Sequence, residues 1–176
     1  MLLDRLFRPR PALAMGRALY AQVVEQARTP SLYLELGCPD TTEGRFEVYT
    51  LHLMLVLERL SGQGPEAAEV SQALFEVYLK RLDDALREMG VGDLSVGKKM
   101  RKLGEAFYGR VRNYDEAFAA LPDAGPLAAI IGRTVLMAES GAETGPLVDY
   151  AAAAMARLQA EPLDTLLQGD ASWPTI

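Results

Sequence analysis

The sequence predicts an all-α fold: one compact domain of about six helices around a largely buried central helix. Three observations predict it. Apolar residues recur at three- and four-residue spacing through most of the chain, and no stretch of useful length alternates with the period of a strand. Glycine and proline punctuate these periodic segments, where helices start and stop. The chain has 176 residues, 49% of them hydrophobic and 24% charged, enough length for a sizeable core and too apolar for disorder.

Taken in order, Leu13 to about Arg28 reads as a first helix, closed by Pro30. Ser31–Leu36 is ambiguous between a helical turn and an extended piece, and Cys38–Thr42 reads as a loop. A helix from about Glu43 to Leu60 stops at Ser61-Gly62-Gln63-Gly64. Pro65 suits a first helical position, and the helix it starts runs to Met89 with Gly90 as its cap. The next begins after Ser95, a candidate N-cap, and continues to Leu121 ahead of Pro122. Pro126 and Pro146 open two more, ending near Ser140 and Ala160, and Pro162–Leu167 has room for a short turn. The core is therefore expected over about 13–160. Residues 1–12 and 168–176 read as loose, the tail including Trp173 and Pro174.

Composition excludes several function classes. A single cysteine, Cys38, leaves no intrachain disulfide and no cysteine-rich zinc site. A single histidine, His52, removes HExxH and multi-histidine metal sites. The net charge of −6 argues against a uniformly basic nucleic-acid binder and against specific DNA recognition. At the N-terminus, Asp4 and Arg5 interrupt the apolar run after three residues, so it does not read as a signal peptide. No uninterrupted apolar window is long enough to span a membrane. A soluble, cytoplasmic protein is expected. Leu2, Leu3, Leu6 and Phe7 beside Arg5, Arg8 and Arg10 leave open a peripheral contact with the inner face of the cell membrane. A frayed basic terminus is the plainer reading.

Two helices carry most of the information. In the helix after Ser95, Met100, Leu103, Phe107, Val111, Tyr114 and Phe118 form one apolar stripe. Lys98, Arg101, Lys102 and Arg112 lie on the opposite side, flanked by Lys99 and Arg110 and diluted by Glu105. Residues 98–112 thus hold six basic side chains against one acidic, a local +5; with −6 for the whole chain, the remainder carries −11. Such a face is either simply solvated or a docking surface for RNA, ribosome, acidic protein or lipid headgroups. Tyr108 lies off the apolar stripe and is a further contact candidate. The 43–60 helix is apolar almost all round, which places it centrally and makes His52 a core histidine with a satisfied nitrogen, not a catalyst.

Asp83 and Asp84 are not read as a ligand pair, because adjacent helical residues diverge by about 100°. Glu76–Lys80 and Asp83–Arg87 have the spacing of surface ion pairs. Gly92–Lys99 imitates a phosphate-binding loop, but Lys99 stands where a Ser or Thr belongs and a helix, not a strand, precedes it. The glycines are better explained as the turn between two helices.

The stretch 74–110 resembles a known family. Leu82–Val96 (LDDALREMGVGDLSV), Met100–Arg110 (MRKLGEAFYGR) and the upstream Leu51–Leu60 (LHLMLVLERL) are similar to the ubiquinol–cytochrome c chaperone family, assembly factors of the cytochrome bc1 complex. The likeness covers roughly Leu32 to Leu158, and the size fits a bacterial member. The resemblance implies a non-catalytic, cofactor-free protein with no small-molecule substrate, which binds newly made cytochrome b as its client. Mitochondrial relatives work with a small partner protein near the ribosomal exit.

Under this reading Lys98, Lys99, Arg101, Lys102, Arg110 and Arg112 dock on ribosome, membrane surface or acidic client loops. An apolar groove lined by Tyr49, Phe75, Tyr78, Phe107 and Tyr108 would hold a client helix. Two alternatives stay open: a ribosome- or RNA-docking adaptor without a hydrophobic client, and a lipid or small-molecule pocket protein using His52, Glu58 and Arg59.

Overall fold

The computed structural model describes residues 11–137 and 144–176. All regular structure among them is helical: α1 (Pro11–Ala27), α2 (Pro30–Leu34), α3 (Thr42–Leu60), α4 (Pro65–Glu88), α5 (Asp93–Ala119), α6 (Gly125–Thr134), α7 (Gly145–Ala160) and α8 (Leu163–Leu167). The six long helices are the six periodic segments, and α2 and α8 are five-residue turns of helix in the pieces that were ambiguous or short. Proline stands in the first turn of α2, α4, α6 and α7, where its missing N–H costs no helical bond. Thr41 caps α3, its side chain accepting from the Gly44 amide at 3.0 Å.

Two boundaries move. α5 starts at Asp93 with Gly92 as its N-cap, so Ser95 lies inside the first turn and is not the cap. α6 ends at Thr134, where the Val135 and Leu136 amides both close on the Ile131 carbonyl. The expected end near Ser140 lies outside the described residues.

α3 is the centre. From Thr50 to Val56 every residue is buried, together with Gly44, Glu47, Val48 and Leu60. α1, α4, α5 and α7 pack around it. α1 also lies against α4, and Gly16 makes that contact close: a Cβ there would stand 2.6 Å from the Leu74 amide nitrogen and 2.7 Å from the Ala73 carbonyl carbon. Only hydrogen fits between the two backbones.

The tail is not loose. Gln22 donates to Asp170 Oδ1 at 2.9 Å and accepts from the Ala171 amide at 2.6 Å. Glu161 accepts from both the Ser172 amide and its hydroxyl. The Trp173 ring packs edge-on against His52 at 5.3 Å. Gly169, at φ +88°, turns the chain over α1, where a Cβ would meet Ala18 Cβ at 2.7 Å. Apart from Glu161, these partners are more than a hundred residues away in sequence, which is why local pattern predicted a frayed end. At the other end, Pro11 and Ala12, also expected to be loose, are helical, and residues 1–10 lie outside the described residues.

His52 is fully buried and both ring nitrogens are bonded. Nδ1 lies 2.8 Å from the Val48 carbonyl, which only accepts, so Nδ1 carries the proton. Nε2 therefore accepts from Tyr150 Oη at 2.7 Å, and that hydroxyl in turn accepts from Gln26 Nε2 at 2.9 Å. The relay ties α1, α7 and α3 together. Burial, only partly opposed by the Val48 bond, lowers the His52 pKa to about 4.

Two predictions arise from this packing. Gly16→Ala forces a methyl into the α4 backbone and is expected to cost about 1–3 kcal/mol, read as a lower midpoint of thermal unfolding. An unchanged midpoint would mean the helices do not meet there. His52 takes up a proton near pH 6.5 unfolded but only near pH 4 folded, so stability it contributes above pH 6.5 is lost as pH falls through that window. Against His52→Gln, the stability advantage of the native chain should shrink by about 3 kcal/mol between pH 7 and pH 4. Parallel pH curves for the two proteins would contradict a buried neutral imidazole.

Candidate functional site

Two surfaces stand out, one concave and one convex. The concave one is a groove of about 630 Å³ between α1, α3 and α4. α1 buries Gly16, Leu19, Val23 and Ala27; the stripe beside these, Arg17, Tyr20, Ala21 and Val24, with Arg28 just past the helix, forms one wall. Phe46 and Tyr49 of α3, and Val77, Tyr78, Arg81, Leu82, Asp84, Ala85 and Glu88 of α4, complete it. Its chemistry is an aromatic and aliphatic floor with three arginines and two carboxylates, Asp84 and Glu88. Arg28 Nε donates to Tyr49 Oη at 2.8 Å. Arg81 lies 3.8 Å from Asp84, a carboxylate shared with Lys80 at 3.3 Å. Burial raises the pKa of Tyr78, and burial followed by the neighbouring Tyr49 raises that of Tyr20, so both hydroxyls stay neutral.

This groove is not the one expected from the sequence. Tyr49 and Tyr78 do line it, but Phe75, Tyr78 and Phe107 stack on one another where α4 meets α5. Phe75 and Phe107 are 4.7 Å apart and Tyr78 and Phe107 5.6 Å between ring centroids. Tyr78 and Phe107 are buried, with the Tyr78 hydroxyl 3.1 Å from Thr50 Oγ1, so the cluster fills space and Tyr78 only borders the groove. Tyr108 points away from the cluster and is 70% exposed. The α1 wall was missed altogether. Its signal was present, since the 13–28 helix carries a second stripe of Tyr and Arg next to its core stripe.

The convex surface is the outer face of α5. Lys98, Lys99, Arg101 and Lys102 are exposed, with no ion-pair partner among the described residues. Arg112 is also exposed and approaches Glu116 at 3.9 Å. Arg110 leaves this face, correcting its sequence assignment. It turns inward to Glu47 of α3, donating Nε to Oε2 at 2.8 Å and Nη2 to Oε1. Glu47 is a carboxylate on the most buried helix, and position 110 sits at the edge of the basic stripe where its guanidinium reaches that carboxylate.

Of the expected surface pairs, Asp83–Arg87 forms at 2.7 Å. Glu76–Lys80 does not: Lys80 turns to Asp84 and Glu76 accepts from Gln72. His52 faces the core, and Arg59 donates to the Leu158 and Glu161 carbonyls at 2.8 and 3.1 Å. Cys38 is buried, and burial pushes its thiol up to about 12, so it stays protonated. No helix among the described residues is long and apolar enough to cross a membrane.

The sequence pattern of a family described as Ubiquinol-cytochrome C chaperone matches residues 34–173. Ubiquinol-cytochrome c reductase complex assembly factor 1 of Mus musculus is 27% identical over 158 residues, covering 88% of this chain and 53% of that protein. The Homo sapiens protein of the same name is 27% identical over 163 residues, covering 88% and 52%. The chain thus spans about half the length of these two relatives. The Xenopus laevis counterpart is 25% identical over 163 residues, covering 88% of this chain and 78% of that one. Among solved structures, the Cbp3 homolog from Brucella abortus superposes with a TM-score of 0.84 at 33% identity, over 99% of this chain and 97% of that one.

The Glu47–Arg110 pair is expected to behave as a buried one. Arg110→Ala strands the Glu47 carboxylate and should destabilise by about 3 kcal/mol. The double change Glu47→Gln with Arg110→Met should recover much of that loss in urea unfolding. If Arg110→Ala is silent, the pair is solvated.

Proposed function

The chain belongs to the ubiquinol–cytochrome c chaperone family, and we propose that it promotes assembly of the ubiquinol–cytochrome c reductase (bc1) complex by binding newly made cytochrome b. The family match over residues 34–173 carries this reading, and the full-length likeness to the Brucella abortus Cbp3 homolog supports it. Cytochrome b as client follows from the family resemblance.

The groove between α1, α3 and α4 is the seat we assign to the client. Helix-in-groove recognition needs an apolar floor and polar groups at the rim. Tyrosine and arginine are the side chains that most often dominate such contacts, because each presents a large, stiff surface with a hydrogen-bonding end. Phe46 and Tyr49 supply the floor, Tyr20 the facing wall, and Arg17, Arg28, Arg81, Asp84 and Glu88 the polar groups around them. An apolar helix ending in acidic or carbonyl groups fits this arrangement. The protein then acts by holding its client, not by bond chemistry, in the cytoplasm at the inner face of the cell membrane.

Deletion of the gene is expected to lower both assembled bc1 complex and haem-bearing cytochrome b, measured by native electrophoresis and difference absorbance. Normal levels of both would overturn the assignment. Val24→Asp, on the groove wall, should fold with an unchanged helical spectrum yet fail to restore the complex in the deletion strain. Full restoration would remove the groove from the proposal while leaving the family function in place.

A further inference from the structure

The apolar stripe of α5 divides into two parts. Phe107, Val111, Tyr114 and Phe118 pack on the main core. Val96, Met100 and Leu103 do not belong to it, nor does Leu86 of α4, although Val96 is itself buried. The end of α4 and the first part of α5 therefore extend past the core as a two-helix hairpin. The α5 segment from 93 to 103 alone spans about 15 Å at 1.5 Å per residue.

Four cations, Lys98, Lys99, Arg101 and Lys102, crowd the outer side of this hairpin, exposed and without ion-pair partners among the described residues. Elsewhere the basic side chains of α4 and α5 are tied down, Lys80 and Arg81 by Asp84, Arg110 by Glu47. At the hairpin turn Met89 is 59% exposed, and on α5 Tyr108 is 70% exposed. Cations beside uncovered apolar and aromatic side chains are what an anionic bilayer interface accommodates: phosphates take the charge and the acyl boundary takes the apolar groups. A nucleic-acid backbone would use the charge and leave Met89 in water. Residues 86–103 hold Arg87, Lys98, Lys99, Arg101 and Lys102 against Glu88 and Asp93, a local +3; the remainder of the chain, at −9, is repelled by an anionic surface, which confines the contact to this face.

We propose that the α4–α5 hairpin docks the protein, through the outer face of α5, on a bilayer containing anionic phospholipid. The C-terminal half of α4 is shared between hairpin and groove, with Arg81, Ala85 and Glu88 in the groove wall just before Met89. Docking in this pose brings the groove to the bilayer surface, where an apolar client segment is met. Only this last consequence rests on the chaperone reading.

The test is flotation of the full chain with vesicles of phosphatidylcholine alone and of equal parts phosphatidylcholine and phosphatidylglycerol, at low and high salt. The chain should float with the mixed vesicles only, less so in high salt. Lys98→Glu, Arg101→Glu and Lys102→Glu together should cut the bound fraction by about tenfold or more, with thermal unfolding unchanged. The corresponding glutamines should have a smaller effect in the same direction. Met89→Ser with Tyr108→Ser should remove binding that survives high salt.

Equal flotation with both vesicles would overturn the proposal. So would loss of binding on reversal of Arg5, Arg8 and Arg10 instead of the hairpin cations, or binding to an RNA oligonucleotide with no flotation. Vesicle binding contains no client, so its failure leaves the assembly function untouched, and failure of assembly leaves the docking result standing.

Discussion

A helix with no polar side has to be wrapped, and α3 imposes that requirement on the whole molecule. Seven consecutive residues, Thr50 to Val56, are buried, which is possible only if neighbours cover every face of the helix. α1, α4, α5 and α7 do so. Its buried polar side chains then have no water to turn to, and each finds a partner on another helix. Glu47 takes Arg110 of α5, Thr50 meets Tyr78 of α4, His52 meets Tyr150 of α7, and Arg59 caps the end of α7 through the Leu158 and Glu161 carbonyls. Net gain per neutral bond is small, about 1 kcal/mol, but an unmade one in this setting costs more. The polar residues of α3 therefore select the arrangement of helices that the apolar ones merely permit.

That selection also decides which charges remain available at the surface. Arg110 is spent inside on Glu47, and the α4 cations are engaged with the α4 carboxylates. Among the described residues, what remains of the α5 cations without an ion pair is the cluster at 98–102, on the part of α5 that has left the core. The groove arises from the same geometry. α1 packs onto α4 through Gly16 and turns its Tyr- and Arg-bearing stripe toward the floor supplied by Phe46 and Tyr49. Core, groove and hairpin are thus three consequences of how α4 and α5 sit on α3. The first holds the fold, the second offers a concave apolar surface, and the third presents concentrated positive charge.

Helix positions were legible because they are written in local terms. Spacing of apolar residues marks a helix, and proline or glycine marks its ends, within one or two residues for α1, α3, α4 and α7. The central place of α3 and the inward-facing His52 were legible for the same reason, since an all-apolar helix has one stable environment. The quoted segments 51–60, 82–96 and 100–110 pointed to the family, and the match extends well beyond them, through residue 173.

What the chain could not reveal locally is which stripe of one helix faces which stripe of another. Phe75, Tyr78 and Phe107 are aromatic at helical spacing whether they line a groove or fill a core; only the α4–α5 contact decides that they fill it. Arg110 is one more cation in a basic run until a carboxylate 63 residues earlier is folded against it. The tail looked featureless because its partners, Gln22 and His52, lie more than a hundred residues away. Periodicity determines elements through interactions within one turn, so the sequence alone specified the helices and the charge each carries. Pairing depends on shape and charge across the core, so tertiary structure alone settled which of those charges and rings are left to meet another molecule.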